Sequence, residues 1–123
     1  MQTTLGLVAI VEDDAPMRRS IERLLRASGL ATAAFASAEE FLHSGLAGQA
    51  LGLVLDIHLP GMSGIELRRR LLADGAKVPV VFITAFDDEA TRDEAMAAGC
   101  VACLHKPFEA HQLIGALQQG GTK

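Results

Sequence analysis

Residues 51–64 read Leu51-Gly52-Leu53-Val54-Leu55-Asp56-Ile57-His58-Leu59-Pro60-Gly61-Met62-Ser63-Gly64, an apolar run that stops at a carboxylate and passes into proline and glycines. The absence of polar alternation predicts a strand covered on both faces, as in a parallel sheet between helices. Proline and closely spaced glycines predict a loop directly after it. Asp56 then stands at the carboxyl end of a buried strand, where open α/β sheets hold their ligands. Taken alone, such an aspartate reads equally well as a turn or helix cap. The rest of the chain decides between the two.

The same pattern recurs on either side. Residues 5–11 form an apolar run that ends in Glu12, Asp13 and Asp14, and predict a first strand. Pro16 suits the opening turn of a helix, with Ile21, Leu24 and Leu25 at helical spacing among arginines and Gly29 as its stop. Residues 30–35 are short and weakly apolar, as in an edge strand. Ser37 and Glu40 have capping-box spacing, ahead of a second helix that buries Phe41, Leu42 and Leu46. Beyond the central strand, Ser63 is placed to cap a third helix carrying Ile65, Leu67, Leu71 and Leu72, which Gly75 ends. Residues 78–83 are apolar and β-branched and close on Thr84, a fourth strand. Residues 87–98 predict a polar, alanine-rich helix with Met96 as its one large apolar residue and Gly99 as its stop. It has little to bury and is expected to be held loosely. Residues 100–104 predict a fifth strand, followed by Lys106-Pro107-Phe108 and a last helix with Leu113, Ile114 and Leu117 on one side. Residues 120–123 read as a flexible tail or the start of a linker, which leaves 1–119 as one domain. The chain shows no internal repeat or low-complexity tract.

Strands alternating with helices through short connections predict a doubly wound (βα)5, flavodoxin-like α/β fold in three layers. Right-handed crossovers leave few topologies, and we expect a five-stranded parallel sheet of order 2-1-3-4-5 with the first and third strands adjacent at the switch point.

Composition narrows the function. Half of the 123 residues are hydrophobic and 21% are charged, enough apolar material for a core and too little charge for a disordered chain. No apolar run reaches the ~18 residues of a membrane helix, and the start lacks the basic, then apolar, pattern of a signal peptide, so we expect a cytoplasmic protein without membrane contact. A net charge of −4 argues against direct nucleic-acid binding. Arg18, Arg19, Arg23 and Arg26, and likewise Arg68, Arg69 and Arg70, read as solvated helix faces. Cys100 and Cys103 form a C-x-x-C, but none of the four histidines pairs with another at metal-binding spacing. They lie in a short apolar run and read as two small buried hydrophobes facing opposite sides of a strand.

In the expected topology every strand end points the same way, which gathers Glu12, Asp13, Asp56, Thr84 and Lys106 at one edge. Three carboxylates at ~4 Å repel by about 4 kcal/mol per pair at an effective dielectric near 20. An oxygen-only set of this kind calls for a hard divalent cation, Mg2+ above all, while zinc and copper fit poorly. Carboxylate, cation, hydroxyl and lysine also suit phosphoryl transfer, with Asp56 as in-line acceptor and Thr84 and Lys106 binding the equatorial oxygens. No phosphate-binding glycine loop of the nucleotide type is present, so the donor is expected to be another protein or a small acyl phosphate.

The quoted matches I-V-E-D-D-A-P-M-R-R, L-V-L-D-I-H-L-P-G-M-S-G, V-F-I-T-A and K-P-F, each at a strand end, resemble the receiver domain of a bacterial two-component response regulator. The resemblance runs from the first strand through the last helix. It implies that Asp56 accepts phosphate from a phosphohistidine on a sensor histidine kinase, and that Glu12, Asp13, Asp56 and the backbone carbonyl of His58 hold Mg2+. It implies that Thr84 and Lys106 sense the phosphate and that the Lys106-Pro107 bond is cis; we expect either a stand-alone receiver or one that passes the signal to an output domain or transcription machinery. A phosphorylation-dependent homodimer through the fourth helix, fifth strand and fifth helix is expected. One departure stands out: the family's aromatic three residues before the lysine is here Cys103, too small to report a rotation, so Phe82, Phe86 or the fourth helix are the candidates to carry the switch. The alternative is an interaction module of the same fold that works without phosphorylation. A phosphatase is disfavoured, because such enzymes want a second acid two residues after the nucleophile and this chain has His58.

Overall fold

The structure, a computed structural model, describes residues 6–86 and 88–121. Five strands, β1 (Leu7–Val11), β2 (Ala31–Phe35), β3 (Gly52–Asp56), β4 (Val80–Thr84) and β5 (Ala102–His105), form one sheet of order β2-β1-β3-β4-β5 with every pair parallel. The helices are α1 (Ala15–Ala27), α2 (Ala38–Ser44), α3 (Gly64–Ala73), α4 (Glu89–Ala98) and α5 (Ala110–Gly121). This is the expected doubly wound architecture.

Continuous apolar runs form the three central strands because each has a core on both sides. Ala9, Val11, Leu53, Leu55, Val80 and Phe82 face a core completed by Phe41 of α2, Ile65, Leu67 and Leu71 of α3, and Ala95 and Ala98 of α4. The alternate residues Val8, Ile10, Val54, Val81 and Ile83 face Ile21 and Leu25 of α1 and Leu113 and Leu117 of α5. Each fully buried Leu, Ile or Val contributes ~1.5–3 kcal/mol relative to exposure, so the strands that end at the acids are the most firmly held part of the molecule.

Helix starts follow their caps. Asp14 accepts from Met17 N at 3.0 Å, ahead of Pro16. Ser63 and Glu66 form a full capping box, with Ser63 Oγ accepting from Glu66 N at 3.1 Å and Glu66 Oε1 accepting from Ser63 N at 2.8 Å. At α2 the box slips by one residue: Ser37 caps Glu40 N, while Glu40 Oε1 takes Ala36 N.

Several boundaries differ from the sequence reading. β4 starts at Val80, two residues late, because Pro79 has no N–H to give a ladder. β5 starts at Ala102, so Cys100 lies outside it in the turn after Gly99, and both cysteines pack against the same core rather than opposite faces. Leu72 is exposed rather than part of the apolar face of α3. α4 seats on Ala95 and Ala98 while Met96 points outward. Its cap is Asp88; Asp87, like Leu5, lies outside the described residues. α5 runs on through Gly121, taking in two residues assigned to the tail, and Thr122 and Lys123 are not described. Gly120 is there for proximity: a Cβ on it would lie 2.8 Å from Pro79 Cβ and 2.9 Å from Val101 Cγ2.

Candidate functional site

The carboxyl ends of β1, β3 and β4 deliver Glu12, Asp56 and Thr84, all buried, and the chain leaving β5 delivers Lys106. Lys106 Nζ donates to Glu12 Oε1 at 2.7 Å and to Asp56 Oδ2 at 3.4 Å, so one ammonium ties two buried carboxylates. Glu12 Oε2 accepts from Asp14 N at 3.1 Å. Asp13 completes the acid group from the exposed side: one carboxylate oxygen from each of Glu12, Asp13 and Asp56 lies within 4.8 Å of the other two.

Asp56 is set by its backbone. Ile57 N donates to Ile83 O at 3.0 Å, carrying the β3–β4 pairing past the aspartate, and His58 N donates to Asp56 Oδ1 at 3.2 Å. Gly64 N closes the loop on Ile57 O at 2.9 Å. A Cβ on Gly64 would stand 2.2 Å from Asp56 O, so α3 can start this close behind the aspartate only from a glycine.

Burial pushes the Glu12 carboxyl above the ordinary carboxylate range, only partly offset by Lys106 and the Asp14 amide. For Lys106 burial acts the other way, lowering the ammonium, but the bonds and charges of Glu12 and Asp56 outweigh it and hold its pKa above the usual lysine value. Both shifts belong to one cluster, in which two buried carboxylates, Glu12 and Asp56, share a half-buried lysine.

The remaining predicted residues fall as follows. Thr84 Oγ1 accepts from Phe86 N at 3.0 Å and lies 3.4 Å from Phe86 O, so its hydroxyl is engaged with its own loop. Phe86 is exposed and meets the His58 ring edge-on at 4.5 Å between centroids. Phe82 is fully buried and pairs in register with Cys103. Cys103 lines, with Thr84, Phe86, Arg92 and His105, a void of about 20 Å³. That is room for about one water, not for a ring. The Lys106–Pro107 peptide is cis, and Lys106 N donates to Thr84 O at 2.8 Å.

Three contributors escaped the sequence reading. Arg18, taken as part of a solvated face, turns back so that Nη1 donates to Glu12 O at 2.8 Å and reaches Asp13 O at 3.5 Å. Glu39, in the first turn of α2, accepts from Met62 N at 3.0 Å across 23 residues and so holds the loop after Asp56. Gly64 looked like any loop glycine. Arg18 reaches back six and five residues to backbone carbonyls, which no side-chain spacing signals, and nothing in the sequence points to Glu39.

The donor set fits a hard divalent cation. Oxygens around an octahedral Mg2+ at ~2.1 Å stand ~3.0 Å apart when cis and ~4.2 Å when trans, so three oxygens within 4.8 Å of one another need to close by about 1.8 Å at most. Among the described residues no nitrogen or sulfur ligand joins them in the cluster.

Fold and site together define a doubly wound domain with an acidic, lysine-completed pocket at its switch point, the place where this class of fold holds its ligands. The chain belongs to the response regulator receiver domain family, whose pattern matches residues 8–118. It is 40% identical over 115 residues to nodulation protein W of Bradyrhizobium diazoefficiens, covering 94% of this chain and 51% of that protein. The crystal structure of FixJ-N superposes with a TM-score of 0.86 at 36% identity, covering 98% of this chain and 95% of that one. The receiver domain of a Pseudomonas aeruginosa sensor histidine kinase, with a magnesium ion coordinated in its active site cleft, gives a TM-score of 0.86 at 26% identity over 96% of this chain and 98% of that one. The chain spans about half the length of the curated relatives it matches. Among the described residues no helix is long and apolar enough to cross a membrane.

Proposed function

We propose that Asp56 is the phosphoacceptor of a two-component signalling relay, phosphorylated from a phosphohistidine on a sensor histidine kinase. A carboxylate oxygen of Asp56 attacks phosphorus in line, the P–N bond breaks, the electron pair leaves with the imidazole, and an acyl phosphate remains on Asp56. Glu12, Asp13, Asp56 and the backbone carbonyl of His58 would hold Mg2+, which would supply charge neutralisation to the phosphoryl oxygens. Lys106 offers its ammonium to a phosphoryl oxygen in exchange for part of its bonding to Asp56. The Thr84 hydroxyl turns from Phe86 to a second oxygen. Nothing else switches unless the phosphoryl group binds one arrangement of the Thr84 loop better than the other.

The observation that carries this reading is the single lysine bridging two buried carboxylates while a third converges on them. The magnesium in the P. aeruginosa receiver supports the choice of metal. The residues through the described end of α5 act as the receiver unit, in the cytoplasm, passing the signal to an output domain or to transcription machinery by way of α4, β5 and α5, with a homodimer through that face. The void beside Cys103 gives Thr84 room to move without a ring following it, which leaves Phe86, bonded to Thr84 through its amide, as the side chain that reports the change.

Incubation with Mg2+ and acetyl phosphate tests the proposal: wild type takes up one alkali-labile phosphoryl group and Asp56→Asn takes up none. Equal labelling of both proteins would overturn it.

A further inference from the structure

Among the arginines of α1, Arg18 stands apart. Arg19 and Arg23 are exposed, and Arg26 pairs with Glu22 of the next turn back, at 3.3 Å. Arg18 is half-buried, and its guanidinium lies back over the amino end of its own helix on the peptide carbonyls of Glu12 and Asp13. A cation there opposes the helix dipole, so its position has to be justified by what it holds.

We propose that Arg18 is a positioning residue for the acid pair at the end of β1, setting the direction from which Glu12 and Asp13 approach a divalent cation; the inference rests on the magnesium reading above. The two acids are held very differently. The Glu12 side chain is fixed by Lys106 and by Asp14 N. The Asp13 carboxylate is exposed and, among the described residues, takes part in no hydrogen bond or ion pair, so its aim depends on its backbone. The peptide groups on both sides of the Asp13 Cα are those whose carbonyls Arg18 grips, closely at Glu12 O and more loosely at Asp13 O. Both bonds leave the one Nη1, whose two N–H groups are fixed in the guanidinium plane, whereas the donors of a lysine ammonium rotate freely on a flexible stem and fix no direction. Outer groups of this kind tune metal sites through the ligands they orient.

Charge and position predict opposite signs. As a mere positive charge beside the acids, Arg18 repels Mg2+, and removing it would tighten binding. As the part that aims Asp13, its loss loosens binding.

The test is Mg2+ titration by isothermal calorimetry, without phosphodonor, on wild type, Arg18→Ala, Arg18→Lys and the charge-matched control Arg23→Ala, with urea unfolding of each to confirm the fold. Arg18→Ala is expected to raise the magnesium dissociation constant about tenfold. Arg18→Lys, which keeps the charge and loses the planar, direction-fixed N–H groups, is expected to raise it about threefold and carries the test should Arg18→Ala fail to fold. Arg23→Ala should leave it unchanged or lower it slightly. Unchanged or tighter binding by both Arg18 variants would overturn the inference and leave the magnesium reading standing, whereas a wild-type protein that takes up no Mg2+ would overturn both.

Discussion

Lys106 and Glu12, 94 positions apart in sequence, meet in a 2.7 Å ion pair at the end of the sheet. Glu12 is almost wholly shielded from water, so its charge depends on this partner. Removing one member of such a pair is costly because the other stays behind uncompensated.

Lys106→Met should therefore destabilise the metal-free protein by ~2–4 kcal/mol near neutral pH, read from urea unfolding. The raised pKa of Lys106 sets the alkaline limit. Its contribution is fully present below 10.5, the ordinary value, and is lost as pH rises through the higher folded-state value. The stability gap between wild type and Lys106→Met should hold steady from neutral pH up to that range and close above it. Glu12 works at the acid end with the same sign. Its raised folded-state pKa means that stability from protonated Glu12 is complete below the ordinary 4.5 and is lost as pH climbs through the raised value. The variant, deprived of the lysine, should gain more than wild type from mild acid.

Asp13→Asn removes an exposed charge from a crowded acid cluster. We expect the metal-free protein to gain about 0.5–1 kcal/mol, since the repulsion relieved is screened by solvent, while Mg2+ no longer raises the melting temperature. A loss of stability without metal would show that the acids are not in mutual strain.

Gly64→Ala places a methyl group against the Asp56 carbonyl, a backbone atom that cannot step aside. Either α3 shifts or the aspartate does. We expect a loss of ~2–3 kcal/mol with weakened Mg2+ binding, whereas Gly115→Ala, at an exposed helical site with open space around it, should be neutral or stabilising.

Burial pushes the thiols of Cys100 and Cys103 up from the ordinary value, in Cys100 aided by the neighbouring Cys103. Less thiolate at neutral pH means slow alkylation. Iodoacetamide at pH 8 should modify both more slowly than it modifies free cysteine, and urea should abolish the difference. Fast labelling of the folded protein would revive a redox role for the pair.

The sheet order is legible in the sequence because strands buried on both faces write unbroken apolar runs, and each run here stops at a polar residue that marks the functional edge. Local caps are legible too, as at Ser63 and Glu66. Contacts that depend on where elements lie in space are not. Glu39 grips the loop after Asp56 from another helix, and its sequence context is that of any first-turn acid. Arg18 sits among other arginines, and only its backward reach separates it from them. Gly120 reads as a chain end but is a contact point for Pro79 and Val101, a distinction that needs the packed neighbours.

The most direct test of the account is to locate the phosphoryl group. Protein treated with Mg2+ and acetyl phosphate is reduced with borohydride, which converts an aspartyl phosphate to homoserine, and is then mapped by peptide mass spectrometry. The account predicts homoserine at position 56 alone, dependent on both Mg2+ and donor; conversion at another acid, or an unmodified Asp56 in protein shown to bind Mg2+, would contradict it.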